Sequence, residues 1–161
     1  MNFYIDGGKI FMNLYIASDH AGYELKFNLV SFILENFNEH DLFDCGPYSD
    51  EAVDYPDYAQ KVCENVTGYE NSMGILICGT GIGMSIAANK FKGIRAALCN
   101  DIFTANLCRQ HNDANVLVMG SRVLGIGIAK EITKSFLNCK FEGGRHKERI
   151  NLIKNIEQKN Y

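Results

Sequence analysis

The chain has 161 residues, 47% of them hydrophobic, which is enough to bury one substantial core at a length that fits a single domain. Its formal charge of -3 leaves no electrostatic footprint for nucleic acid or an anionic membrane, so a partner anion has to be met by a local cluster of donors. No apolar run approaches the roughly 18 residues of a membrane span, and the N-terminus lacks the basic, apolar and small-residue order of a signal peptide; the expectation is a cytoplasmic protein.

Residues 1–11, "MNFYIDGGKIF", precede a second methionine, Met12, after which the regular pattern starts at once. They are expected to be an appended or alternative start outside the fold, leaving residues 12–161 as one domain. Apolar runs then alternate with helix-period segments. "NLYIAS" (13–18) reads as a strand, about Tyr23 to Asn38 as a helix, "HDLFDC" as a short strand, and about Tyr55 to Val66 as a helix. "MGILIC" leads into a helix beginning near Gly83, "IRAALC" (94–99) into one ending near Gln110, and "NVLVMG" into one from about Gly125 to Leu137. A charged, amphipathic helix follows from about Arg145. Strands alternating with helices of this length predict βαβ units and a parallel sheet covered on both faces, and continuous apolar strands fit burial on both sides.

In such sheets the ligand site lies outside the carboxyl ends of the strands. That rule selects "SDHAG" (18–22), the loop 45–59, "CGTGIG" (78–83), "CND" (99–101) and "GSR" (120–122). The glycine loop is a weak match to a dinucleotide fingerprint, because position 84 is methionine and the loop follows a mid-chain strand. It is not a P-loop, since it holds no lysine. What remains is a tight turn whose backbone N–H groups form an anion-binding concavity. The same amides favour a thiolate at Cys78, although Cys78 reads equally as the last buried residue of its strand. The six cysteines (Cys45, Cys63, Cys78, Cys99, Cys108, Cys139) form no C-x-x-C pair and no metal-ligand spacing, so most read as small core residues in a reducing compartment.

Other polar residues have two readings each. His111, in "RQHNDAN", stands where a helix ends and is either a favourable C-terminal charge or an acid–base group; Asn112 beside it is the candidate left-handed cap. Asp19 and His20 follow the first strand, where Asp19 can be a simple turn residue. Tyr55 is either an aromatic resting on the sheet edge or part of a pocket. Arg145 and Arg149 share a helix face and either clamp a phosphate or form an ordinary basic surface with Lys147 and Lys154.

Together, "SDHAG", "DYPDYA", "ILICGTGIGMSIAANKFKGIRAALC", "RQHNDANVLVMGSR" and "FEGGRHKERI" resemble the B-type ribose-5-phosphate isomerases, in the family that also holds the galactose-6-phosphate isomerase subunits. The match runs from Met12 to about Glu157, in order. The resemblance implies a Rossmann-like three-layer α/β/α sandwich with a central parallel five-stranded sheet and a C-terminal helix. It implies no metal, no organic cofactor, and a homodimer or dimer of dimers with active sites shared between subunits. The implied reaction is the reversible aldose–ketose isomerisation of ribose 5-phosphate and ribulose 5-phosphate through an enediolate, in the non-oxidative pentose phosphate pathway. The same chemistry on a six-carbon sugar phosphate, allose or galactose 6-phosphate, is the alternative. By resemblance Cys78 is the catalytic base, and Gly79, Gly81, Ile82 and Gly83 belong to the loop that holds the enediolate. Thr80 helps move a proton between the C1 and C2 oxygens. His111 opens the furanose ring and Asn112 contacts sugar. Asp19, His20 and Tyr55 line the pocket, while Arg122, Arg145 and Arg149 serve the phosphate end.

Overall fold

The computed structural model describes residues 11–160 in full and, before them, the backbone of residues 5, 6, 9 and 10. Those four form an antiparallel pair, β1 (Ile5–Asp6) with β2 (Lys9–Ile10). The rest of residues 1–10, on which the expected exclusion of the N-terminal segment mainly falls, lies outside the described residues. The main chain then runs β3 (Asn13–Ser18), α1 (Tyr23–Asn36), β4 (Asp41–Asp44), α2 (Tyr55–Gly68), β5 (Ser72–Cys78), α3 (Ile82–Ala88), β6 (Ala96–Leu98), α4 (Ile102–Gln110), β7 (Val116–Gly120), α5 (Ile126–Asn138) and α6 (Arg145–Asn160).

The five strands β3 to β7 form one wholly parallel sheet in the order β4-β3-β5-β7-β6. Parallel neighbours cannot be joined by a tight turn, so every connection carries a helix across a face. Alternate residues of each strand feed the two faces. Leu14 and Ile16 of β3, Ile75 and Ile77 of β5, and Leu117 and Met119 of β7 pack with α1, α4 and α5 through Leu29, Ile33, Ala105, Ile132 and Phe136. Tyr15, Ala17, Leu76, Cys78, Val116 and Val118 point the other way, onto Ala59, Val62, Cys63 and Val66 of α2 and Met84 and Ala88 of α3. Each fully buried Leu, Ile or Val among them contributes about 1.5–3 kcal/mol. This is the α/β/α sandwich expected from the sequence.

Element boundaries moved where local packing outweighs periodicity. Helix α1 stops at Asn36 rather than Asn38, because Phe37 turns into the core and its N–H closes on the Ile33 carbonyl. Strand β6 shortens to three half-buried residues, as an edge strand beside β7 alone. The left-handed residue after α4 is Asp113 (φ 45), not Asn112. That conformation, which Asp tolerates better than most residues, sets the Asp113 carboxylate between Arg95 at 2.9 Å and Arg109 at 3.0 Å.

One charged pair fixes the loop between β4 and α2. Lys26 is 2% exposed, and its Nζ lies 2.6 Å from both oxygens of Asp44 while donating to the Pro47 carbonyl at 2.9 Å. Asp44 also receives the Gly46 N–H at 2.9 Å. The ammonium is thus buried with its partners supplied, which is the condition for keeping it charged in the interior.

Candidate active site

The strand order reverses between β3 and β5: from β3 the chain moves outward to β4, then returns to the other side of β3. A ligand crevice is expected at this switch point. The register places the carboxyl ends level there, with Ser18 opposite Ile77 and Cys78 opposite Gly120. The three following loops interlock. Asp19 N–H donates to the Ile77 carbonyl, Ser121 N–H to that of Cys78, and Arg122 N–H to that of Gly79. The Ser121 hydroxyl donates to the Ala21 carbonyl at 2.8 Å, joining the first loop to the third.

Cys78 ends β5, is 5% exposed, and receives the N–H of Gly81 on its sulfur at 3.2 Å. The turn that aims this amide needs Gly81 in the left-handed region (φ 80), and a side chain there would meet Leu98 and the backbone of Met119. Helix α3, which opens at Ile82, has only seven residues, so the turn amides rather than a long helix dipole give the loop its affinity for negative charge. Thr80 is exposed, and its Oγ1 accepts the Ile82 N–H at 3.4 Å.

Asp19 is 7% exposed and accepts the Gly22 N–H at 2.9 Å, so it shapes its turn while facing the switch point. His20 is exposed, with Nδ1 3.3 Å from the Val53 backbone, which ties the first loop to the segment leading into α2. Tyr55 opens α2 and lies directly over the glycine loop: a Cβ added at Gly83 would stand 2.8 Å from Tyr55 Cζ. Arg122 reaches across Gly79, its Cδ and Nε 3.5 Å from where a Cβ would be. Asp19, His20, Tyr55, Gly79 to Gly83 and Arg122 therefore gather with Cys78 at one edge of the sheet.

The remaining predicted residues do not join them. His111 caps the carboxyl end of α4, and the chain then turns through residues 112–115 into β7, whose approach is level with Gly74: the Gly74 N–H donates to the Asn115 carbonyl at 2.9 Å. His111 and Asn112 thus lie at the amino edge of the sheet. The Glu142 N–H donates to the Gln110 carbonyl at 3.0 Å, and this brings the start of α6 to the same place. There the ring of His146 stacks on that of His111 with centroids 4.2 Å apart and planes 5° from parallel. Both Nε2 atoms face Glu142 Oε2, at 3.9 Å from His111 and 3.8 Å from His146. Arg145 and Arg149 stand exposed on the same helix.

His146 and Glu142 were not singled out in the sequence, although both lie in "FEGGRHKERI" beside Arg145. Burial, then His111, Arg145 and Arg149, hold the His146 imidazole below its ordinary pKa against the opposing pull of Glu142. The three side chains have metal-donor atoms within 4.8 Å of one another. A histidine lone pair lies in its ring plane, however, and two nearly parallel planes do not aim both nitrogens at one ion, so the arrangement is a stacked acid–base pair. Among the other thiols, burial pushes Cys63 up to about 12, which suits an inert core residue.

A cleft of about 680 Å³ lies between α6 and the β6 edge, lined by Ile94, Ala96, Ile153 and Ile156; it takes in Asn112 but not Cys78.

Comparison with known proteins gives the family. The Ribose/Galactose Isomerase family model matches residues 14–153. Ribose-5-phosphate isomerase B of Escherichia coli is 50% identical over 141 residues, covering 88% of this chain and 93% of that protein. The ribose-5-phosphate isomerase B structure from Clostridium thermocellum superposes with a TM-score of 0.90 at 45% identity, covering 93% of this chain and 100% of that one. The ribose 5-phosphate isomerase of Thermotoga maritima gives a TM-score of 0.85 at 48% identity, covering 89% and 98%. With its parallel sheet, its thiol at the switch point and a match over nearly its whole length, the chain belongs to the ribose/galactose isomerase family.

Proposed function

We infer that this chain is an aldose–ketose isomerase that interconverts ribose 5-phosphate and ribulose 5-phosphate, working in pentose phosphate metabolism. The observation that carries the chemistry is the thiol at the switch point with a turn amide aimed at its sulfur, Gly81 N to Cys78 Sγ at 3.2 Å. The identity to the Escherichia coli enzyme supports the five-carbon substrate.

The reaction removes the C2 proton of the open-chain aldehyde and returns a proton to C1. Cys78 takes the C2 proton as thiolate, and electron density moves into an enediolate whose negative charge falls on O1. The amides of the 79–83 turn stabilise that oxygen, the type of preorganised donor that lowers such barriers most. Thr80 relays the hydroxyl proton from O2 to O1, and the Cys78 thiol protonates C1 to leave the ketone. Because ribose 5-phosphate is mainly a closed furanose, a separate group must first protonate the ring oxygen and accept the O1 proton. His111 is that group, with Asn112 holding the sugar beside it. Asp19, His20 and Tyr55 line the pocket, and the arginines Arg122, Arg145 and Arg149 bind the phosphate, so that remote binding energy orients the reacting end.

The active form is a homodimer with sites shared between subunits. Two features support this. Cys78 and Arg122 occupy the carboxyl edge of the sheet while His111, Arg145 and Arg149 occupy the amino edge, so one chain supplies two halves of different sites. Apolar side chains also stand open on the carboxyl-edge side of the molecule, among them Ile82 (55%), Ile86 (59%) and Phe103 (70%), surface that a second chain would cover.

The test is solvent exchange. Ribulose 5-phosphate stays acyclic because its C5 oxygen carries the phosphate, so uptake of deuterium at its C1 reads proton abstraction without ring opening. Cys78→Ala should reduce this exchange at least about 10²-fold, the order for losing a general base, while the protein stays folded. Normal exchange would remove Cys78 from the mechanism. A coupled assay against allose and galactose 6-phosphates decides the sugar length, with ribose 5-phosphate expected to be turned over fastest.

A further inference from the structure

His146 has no task in the scheme above, yet its setting is among the most constrained around His111. The residue is 9% exposed although it sits near the start of a largely exposed helix. It covers one face of the His111 ring at 4.2 Å. Glu142, the carboxylate both rings face, is fastened by its own backbone to the end of α4 through the Gln110 carbonyl. The charged groups facing the pair are therefore Glu142 from the preceding turn, Arg145 and Arg149 from α6, and each imidazole for the other. On the α4 side, Asp113 is engaged by Arg95 and Arg109.

Two imidazoles in face-to-face contact repel strongly if both are charged. Within this set, His146 carries the burial and the two neighbouring guanidiniums that disfavour its cation. Glu142 Oε2 stands within 3.9 Å of both Nε2 atoms, so one carboxylate serves both imidazoles.

We propose that His146 and Glu142 are positioning residues for ring opening: the His146 ring fixes the plane of His111, and the Glu142 carboxylate fixes the direction of its Nε2. This rests on the assignment of His111 as the ring-opening group. Because all three residues belong to one chain and sit together at its amino edge, the unit enters the shared site as a whole.

The inference separates two activities of the same protein. His146→Ala should lower kcat/KM for ribose 5-phosphate about 10-fold, the scale on which loss of an orienting partner disables a histidine, and leave deuterium uptake at C1 of ribulose 5-phosphate unchanged. His146→Phe, which restores a stacking ring without a titrating group, should recover most of the lost turnover at neutral pH. Glu142→Gln should move the pH profile of ribose 5-phosphate turnover to lower pH, because it removes the negative charge that both rings face, and should not move the exchange profile. Equal losses in turnover and exchange would make His146 a scaffold residue and overturn the proposal. Weakened inhibition by inorganic phosphate, without the split, would make it a phosphate ligand and overturn it as well. His111→Ala measured in parallel separates the two levels. No split there removes the ring-opening assignment itself; a split there but not in His146→Ala removes only the present inference.

Discussion

Mixing two inactive variants tests the shared site directly. Within one chain Cys78 is level with Gly120 at the end of β7, while His111 precedes Asn115 and Val116 at its beginning. The four rises from Val116 to Gly120, at about 3.3 Å each, separate the two ends by about 13 Å before the 111–115 turn is added. Acid–base groups must come within about 2.6–3.2 Å of the protons they move, and the ring oxygen and the C2 proton belong to one small sugar. Under the proposed roles, Cys78 and His111 of one chain lie too far apart to serve one substrate molecule. In a two-fold dimer each chain lends one half-site and receives the other. Random pairing of equal amounts of Cys78→Ala and His111→Ala chains makes about half the dimers mixed, and one of the two pockets in each mixed dimer is wild type. About a quarter of all pockets are then intact, and about a quarter of wild-type ribose 5-phosphate turnover should return after co-refolding. Each variant alone should stay well below that level. Subunit exchange is checked by mass spectrometry with one isotopically labelled chain. A preparation that contains the mixed dimer yet gains no activity would refute the shared site.

Other parts of the structure make separate predictions. Gly83→Ala pushes a methyl group against the Tyr55 ring at 2.8 Å, so it should reduce kcat/KM more in the wild-type background than in a Tyr55→Ala background; additive losses would show that Tyr55 does not rest on the loop. Asp44→Ala leaves the buried Lys26 ammonium with the Pro47 carbonyl and the faces of Tyr23 and Tyr48 but no carboxylate, and should cost about 3 kcal/mol, seen as a Tm lower by about 10 °C; a shift of a degree or two would mean that Lys26 escapes to water. His146 is held below its ordinary pKa of about 6.5, first by burial and then by His111, so the unfolded chain takes up this proton at a higher pH than the folded one. The stability associated with it is complete above about 6.5 and declines as the pH falls below that value. The Tm of the wild type should consequently drop relative to that of His146→Phe between about pH 7 and pH 5, and a constant difference would count against the buried setting.

The interior strands were legible in the sequence because burial on both faces writes them as unbroken apolar runs: β3 and β5 fell within one residue of their observed ends, and so did β7. Edge strand β6 is shorter than its apolar run, since the flanking Ile94 and Cys99 are buried by packing outside the ladder. The left-handed position was misplaced by one residue because it is decided by Arg95 and Arg109, which reach Asp113 from a distant loop and from the preceding turn. At the site, Cys78 and the glycine loop were visible locally, as a thiol and a turn at the end of an apolar run. The stack of His111 and His146 was not, because it arises where the end of α4 meets the start of α6 and no periodicity records that meeting.

The division proposed for the site follows from the order of elements. In a parallel sheet with crossover helices, every strand ends at one edge and every following helix returns the chain to the other. Cys78 follows a strand and His111 follows a helix, so their separation is fixed by chain direction alone, whatever the side chains between them. The same holds for the arginines: Arg122 follows β7, whereas Arg145 opens a helix entered from the carboxyl end of α5. Under the proposed roles, a thiol at the end of a strand and a histidine after a helix act on one small sugar, and this chain holds the two at opposite edges of its sheet. Bringing them together requires either a chain segment long enough to cross from edge to edge or a second copy turned end for end, and a two-fold axis supplies the second of these with no added sequence.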